Sequence, residues 1–123
     1  ANVARGFPGM AHTGAARAGV ENLTKSLGQE WAEFGIRVNA VAPGTIATSG
    51  LEKYPQMMQA FLKESEAKNL MNRFGQAEDV ANAVLFLSSP LASYISGTIL
   101  PVDGLEHLSG DRMELYKTIM SLL

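Results

Sequence analysis

Few side chains in this sequence can do chemistry, and those that can fall in two short stretches. The first is His12-Thr13-Gly14-Ala15-Ala16-Arg17. Arg17 brings a permanent positive charge and several donors, a combination that grips sugar hydroxyls but cannot shuttle a proton. Thr13 offers an aliphatic hydroxyl, a far weaker acid than a phenol at about 10. It can hydrogen-bond, but it is no general acid of matched pKa. Histidine titrates close to neutrality, yet a helical neighbour of Thr13 points about 100° away from it, so His12 reads as structural. The second stretch, Pro43-Gly44-Thr45-Ile46-Ala47-Thr48, reads on its own as a strand-ending turn. There is no cysteine, hence no thiolate nucleophile, thiolate metal site or disulfide, and no metal is expected.

The elements that must position these stretches follow from periodicity. Between Ala11 and Phe34 the residues Val20, Leu23, Leu27, Trp31 and Phe34 recur every three or four positions and form one helical stripe, with Gly35 where a helix C-terminus prefers it. Gly14 and Gly19 each cost that helix roughly 1 kcal/mol against alanine, which suggests that something approaches its backbone closely. Residues 36–42, Ile-Arg-Val-Asn-Ala-Val-Ala, read as a strand that Pro43-Gly44 ends. Residues 45–53 form a polar loop. Pro55 opens a helix with Met57, Met58, Phe61 and Leu62 on its apolar side. Glu78 and Asp79 suit the first turn of another, which carries Val80, Ala83, Val84 and Leu87 and stops at Pro90. Residues 98–102 look like a second strand, where Pro101 is tolerated only at a sheet edge. Asp111 caps a last helix bearing Met113, Tyr116, Ile119, Met120 and Leu123.

Strands separated by helices imply parallel pairing and an α/β fold. Two strands do not make a self-sufficient parallel sheet, because such sheets need several strands with helices on both faces. The chain is 123 residues long and begins Ala1-Asn2-Val3 without a methionine. We therefore expect one partial domain, residues 1–123, whose N-terminal half is absent. A net charge of −2 argues against a nucleic-acid binder. No apolar run reaches the roughly 18–20 residues of a membrane helix, and no signal peptide is evident. The end, Ser121-Leu122-Leu123, is not a Ser-Lys-Leu address. A cytoplasmic location is expected.

Three segments, taken together and in order, carry a resemblance. They are Thr13-Gly14-Ala15-Ala16-Arg17-Ala18-Gly19-Val20 running into Asn22-Leu23-Thr24-Lys25-Ser26-Leu27, then Arg37-Val38-Asn39-Ala40-Val41-Ala42-Pro43-Gly44-Thr45-Ile46-Ala47-Thr48, and finally Tyr94-Ile95-Ser96-Gly97 with Val102-Asp103-Gly104. Over residues 7–104 the chain resembles the C-terminal half of short-chain dehydrogenases/reductases, most nearly the trans-2-enoyl-CoA and dienoyl-CoA reductase types.

The resemblance implies the C-terminal part of a doubly wound, Rossmann-like parallel sheet, with the cofactor beyond the carboxyl ends of the strands. It implies NADP(H) in preference to NAD(H), bound through Arg17, Pro43, Gly44, Ile46 and Thr48. The glycine-rich phosphate loop and the catalytic serine of the family belong to its other half, and no G-x-G-x-x-G occurs here. The family's Tyr-x-x-x-Lys pair is replaced by Thr13 and Arg17, so alcohol or ketone chemistry through a phenol is not expected. Reduction of the C=C bond of a 2-enoyl-CoA needs donors to an enolate oxygen, and Thr13 is one candidate, which leaves Thr13 and Arg17 as the catalytic pair. By itself the chain would be inactive. Two other readings stay open, an alcohol or ketone dehydrogenase of the same family and a non-catalytic binding or assembly subunit. The resemblance further implies an acyl-CoA-like small-molecule substrate, no nucleic acid or membrane partner, and a homo-oligomer. The segment holding Met57, Met58, Phe61, Leu62, Leu70 and Met71 reads as a substrate lid. Lys53, Lys63 and Lys68 read as a solvated face. Val102-Asp103-Gly104-Leu105 departs from the family's second glycine.

Overall fold

A computed structural model describes residues 5–49, 53 and 55–123. Ala1, Asn2 and Val3 and the side chains of Phe61, Lys68 and Asp111 lie outside the described residues. Four helices and two strands follow in the order α1 (Ala11–Glu30), β1 (Ala40–Pro43), α2 (Gln56–Lys68), α3 (Ala77–Ser88), β2 (Ile99–Val102) and α4 (Asp111–Ser121). Single 3-10 turns over Ala32–Phe34 and Pro90–Ala92 close α1 and α3. Gly35 sits at φ 71°, the left-handed conformation that the end of α1 requires.

The strands pair in parallel, Ala40 with Ile99 through Pro43 with Val102. The amide of Ala40 donates to Thr98 O and that of Gly44 to Val102 O. In a parallel ladder alternate peptide groups turn to opposite sides, so Pro101, which pairs with Ala42, directs its missing N–H to the outer edge. There it costs nothing.

Strand β1 begins at Ala40 and not, as the β-branched run suggests, at Ile36. Residues 37–39 spend their hydrogen-bonding groups elsewhere. The Arg37 guanidinium donates to Leu87 O at 2.8 Å and Ile95 O at 3.1 Å, and more distantly to Ser89 O at 3.4 Å. It thereby satisfies carbonyls left over at the end of α3. Asn39 donates to Ile95 O at 3.0 Å and accepts from Thr98 N at 3.1 Å. Val38 completes the clasp, its amide on Ser96 Oγ and its carbonyl on Gly97 N.

Helix α3 packs over both strands. Its start is a capping box in which the Asp79 carboxylate accepts the Gln76 amide at 2.7 Å. The same oxygen pairs with Arg73 at 2.9 Å. The buried positions of helix α1 are Thr24 and Gly28, and Gly28 meets the turn ahead of β2. A Cβ on Gly28 would lie 3.3 Å from Gly97 Cα. Thr24 and Gly28 lie on the same side of α1 as Val20 and Leu27, and there Leu27 is half-buried while Val20, like Leu23, stays more than half exposed at 51% and 55%. Of the two glycines read as close-approach positions, Gly14 is one, since a Cβ there would lie 3.2 Å from Phe7 Cβ, and Gly19 is not. Helix α4 is preceded by Gly110 as its N-cap residue, where the sequence suggests Asp111.

Among the described residues only Thr24, Gly28, Phe74, Leu87 and Ala92 are buried. The surface is 9291 Å², against about 6,400 Å² for a compact monomer of this mass. Of the described strands β1 has β2 as its single neighbour, so its other edge is open. Apolar residues of α1 and α3 flank that edge on the two faces of the sheet.

Two outcomes test this arrangement. Arg37→Ala should lower unfolding free energy by about 2 kcal/mol, the scale of hydrogen bonds to a charged donor. Arg37→Lys should recover only part of it, since a single ammonium cannot reach the same fork of carbonyls. Urea titration reads both. The Asp79 carboxyl is held below its usual value, first by the Arg73 hydrogen bond and then by the Gln76 amide. Its contribution is therefore present at neutral pH and lost as pH falls through that lowered value. Thermal melts of Asp79→Asn should show a lower Tm at neutral pH and a shallower acid decline than the parent.

Candidate functional site

The carboxyl end of β1 opens onto a groove of about 380 Å³. One wall is α1, presenting Thr13, Arg17, Val20 and Glu21. The other is the strand and its turn, Ala40 through Gly44, with Phe7 and Ile99 at the margins. Thr13 and Arg17 are four residues apart on α1 and so share a face. Helix and turn are held in this relation by Gly28 on the Ser96-Gly97 backbone and by the strand register.

Four of the sequence-derived residues, Thr13, Arg17, Pro43 and Gly44, line this one groove. Thr13 is half-buried and Arg17 exposed, and Arg17 has no ion-pair partner among the described residues. A guanidinium with its donors unspent beside a strand-ending turn can take oxygen acceptors of a ligand. Ile46 and Thr48 do not line the groove. Ile46 forms a parallel bridge with Gly75, and its δ-methyl lies 2.6 Å from where a Cβ on Gly75 would sit. Thr48 is exposed two residues further on, and His12 is exposed outside the groove. On α2, Met57 is 85% exposed and Met58 46%, so these methionines are not core.

Gly44 shows why the turn cannot carry a side chain. A Cβ there would fall 2.8 Å from Asp103 Cα and 2.7 Å from Asp103 Cβ. The turns after β1 and β2 are in contact, and the second supplies groups that the sequence reading passed over. The Thr45 amide donates to Glu106 Oε2 at 2.9 Å. Asp103, its side chain only 10% exposed, accepts the His107 amide at 3.0 Å and has His107 Nδ1 at 2.7 Å. The signal was there in Asp103-x-x-Glu106-His107, two carboxylates and an imidazole at one-turn spacing. What it lacked was any hint that the partner lay 61 residues away.

Residues 1–104 match the family model described as Enoyl-(Acyl carrier protein) reductase. The mouse (Mus musculus) peroxisomal 2,4-dienoyl-CoA reductase is 45% identical over 94 residues, 76% of this chain and 32% of that enzyme. The 3-oxoacyl-[acyl-carrier-protein] reductase of Haemophilus influenzae is 45% identical over 108 residues, 85% of this chain and 42% of that one. An Agrobacterium tumefaciens crystal structure with bound NADP superposes with a TM-score of 0.70 at 44% identity, covering 80% of this chain and 39% of the other. The chain thus spans well under half the length of these relatives. Its parallel α/β architecture is part of their Rossmann-type sheet, and the chain belongs to the short-chain dehydrogenase/reductase family of oxidoreductases.

Proposed function

We propose that this chain is the nicotinamide-side portion of an NADP(H)-dependent reductase acting on the C=C bond of a 2-enoyl-CoA. The observation that carries the reading is the single groove shared by Thr13, Arg17, Pro43 and Gly44. The donor set there fits the ribose and nicotinamide end of a dinucleotide, for Arg17 offers several N–H groups to vicinal hydroxyls. The chain has no glycine-rich loop for the pyrophosphate, and that part of the site belongs to the remainder of the domain. The bound cofactor would supply hydride to the β-carbon of the substrate.

The rest is done by the protein's own groups. Arg17 holds the ribose and keeps a positive charge beside the ring. Thr13 donates its hydroxyl to the thioester oxygen as charge develops there on forming the enolate. Neither residue needs to exchange a proton with solvent, and this suits a reaction whose final proton goes to carbon. The backbone of Ile46 and the hydroxyl of Thr48, which lie outside the groove lining, would meet the carboxamide end from further along the same turn. The exposed methionines of α2, with Leu62, Leu70 and Met71, close over the acyl chain as a lid. The complete protein is a homo-oligomer with a cytoplasmic location, which the cysteine-free composition suits.

The dienoyl-CoA reductase likeness supports this substrate class, whereas the 3-oxoacyl reductase likeness supports ketone reduction. The absence of a phenol at position 13 favours the former. The complete protein that carries this chain should oxidise NADPH with crotonyl-CoA or decenoyl-CoA and leave acetoacetyl-CoA nearly untouched. Arg17→Ala should raise the KM for NADPH by about tenfold, the worth of one good charge-assisted contact. Thr13→Tyr combined with Arg17→Lys should gain acetoacetyl-CoA reduction. Preferred turnover of acetoacetyl-CoA by the parent would overturn the C=C assignment, and failure to bind NADPH at all would leave a non-catalytic subunit.

A further inference from the structure

The family match ends at residue 104, and the chain turns back on itself immediately after it. At Leu105 the backbone takes φ 76°, a left-handed conformation that costs a branched side chain of this size roughly 1 kcal/mol. It follows Gly104, itself at φ 56°. Two successive left-handed residues reverse the chain at once, and the reversal brings Glu106 back over the turn that follows β1. There Glu106 Oε2 accepts the Thr45 amide at 2.9 Å, with the Thr45 hydroxyl 3.4 Å from both carboxylate oxygens. The same oxygen stands 2.5 Å from where a Cβ on Gly44 would be.

The reversal is held on its far side as well. Asp103 Oδ2 takes the His107 amide and faces His107 Nδ1. The Glu106 amide donates to Asp103 O, and Ser109 Oγ donates to Glu106 O. Arg5 reaches Ser109 O at 2.8 Å. Arg73, paired with Asp79, lines the cavity of about 410 Å³ that Thr45, Asp103 and His107 also line. Asp103, His107, Arg5 and Arg73 are thus the charged and titratable groups of the described residues that this reversal and its cavity bring together.

We propose that Glu106 is a positioning residue, whose carboxylate sets the Gly44–Thr45 turn at the mouth of the Arg17 groove. The inference rests on the reading of that turn as the nicotinamide-facing one. It goes further by assigning the turn's geometry to a residue outside the family-matched stretch. A backbone amide held by a carboxylate is a stronger and more directional restraint than one left to water. The Thr45 amide is also the first donor after Gly44, where the chain leaves the sheet. Releasing it frees the turn without touching Thr13 or Arg17.

The test has a structural and a kinetic arm. In NMR spectra of the parent protein, the Thr45 amide proton should shift on the same titration curve as the Glu106 side-chain carboxyl carbon. Glu106→Gln should abolish the titration and keep the amide protected from exchange. Glu106→Ala should abolish both. In the complete protein Glu106→Ala should raise the KM for NADPH by about three- to tenfold with kcat little changed, and Glu106→Gln should restore most of it. A Thr45 amide indifferent to Glu106 in titration and in both variants would overturn the proposal. Loss of the Thr45 restraint with no change in the KM for NADPH would leave the brace standing and sink the assignment of this turn to the cofactor. Should Glu106→Ala fail to fold, the parent titration and Glu106→Gln still decide the matter.

Discussion

Two parallel strands of four residues each have no hairpin to set their register. Here two polar side chains ahead of β1 set it. Asn39 behaves as a detached peptide group, donating to Ile95 O and accepting from Thr98 N, so it pairs one step before the ladder begins. Arg37 ties the end of α3 to the chain that leads into β2. A slip of one residue would break both and turn every strand side chain to the wrong face. Because the register holds, both strands end at the same level, and Gly44 comes to rest against Asp103. The groove of Thr13 and Arg17 and the brace from Glu106 inherit their positions from this alignment.

The same constraint explains why so little of the chain is buried. A parallel sheet is stable when both faces are covered and strands flank each other. Here α1 lies on one face and α3 on the other, but the edge of β1 between them has no strand beside it among the described residues. A second groove, lined by Arg37, Asn39, Val84 and Leu87, shares Ala40 and Val41 with the Arg17 groove. Such an edge leaves part of the surface in excess of a compact monomer uncovered, and the exposed apolar side chains of α2 and α4 add to it. Val20 and Leu23 on α1 and Val84 and Leu85 on α3 are apolar, yet substantially exposed, a pattern natural for helices that would sandwich a wider sheet.

Element type and order were legible because they depend on local signals. The helical stripes, the glycine at 35, the acidic first turn of α3 and the prolines at 43 and 90 each act within a few residues. What was not legible depends on distance along the chain. The strand expected over residues 36–39 does not form, because β-propensity cannot see that Arg37 and Asn39 bond to carbonyls 50 and 56 residues away. The stripe on α1 marks the apolar side of the helix, but its buried positions are Thr24 and Gly28. At the site, Thr13 and Arg17 fall into place by helical spacing and Gly44 by its strand-ending role. Ile46 does not join them, since a bridge to Gly75 draws it off to the side.

The left-handed Leu105 is the point at which these two kinds of information separate. A glycine would take that conformation freely. A leucine keeps the reversal at a cost, and the cost is tolerable only where neighbouring bonds over-determine the backbone. Asp103 with His107 on one side and Glu106 with Thr45 on the other supply that over-determination. The left-handed Leu105 and the brace are therefore parts of one reversal of the chain. The shared residues build the sheet and the groove, and the residues just past them set how firmly the groove's rim is held.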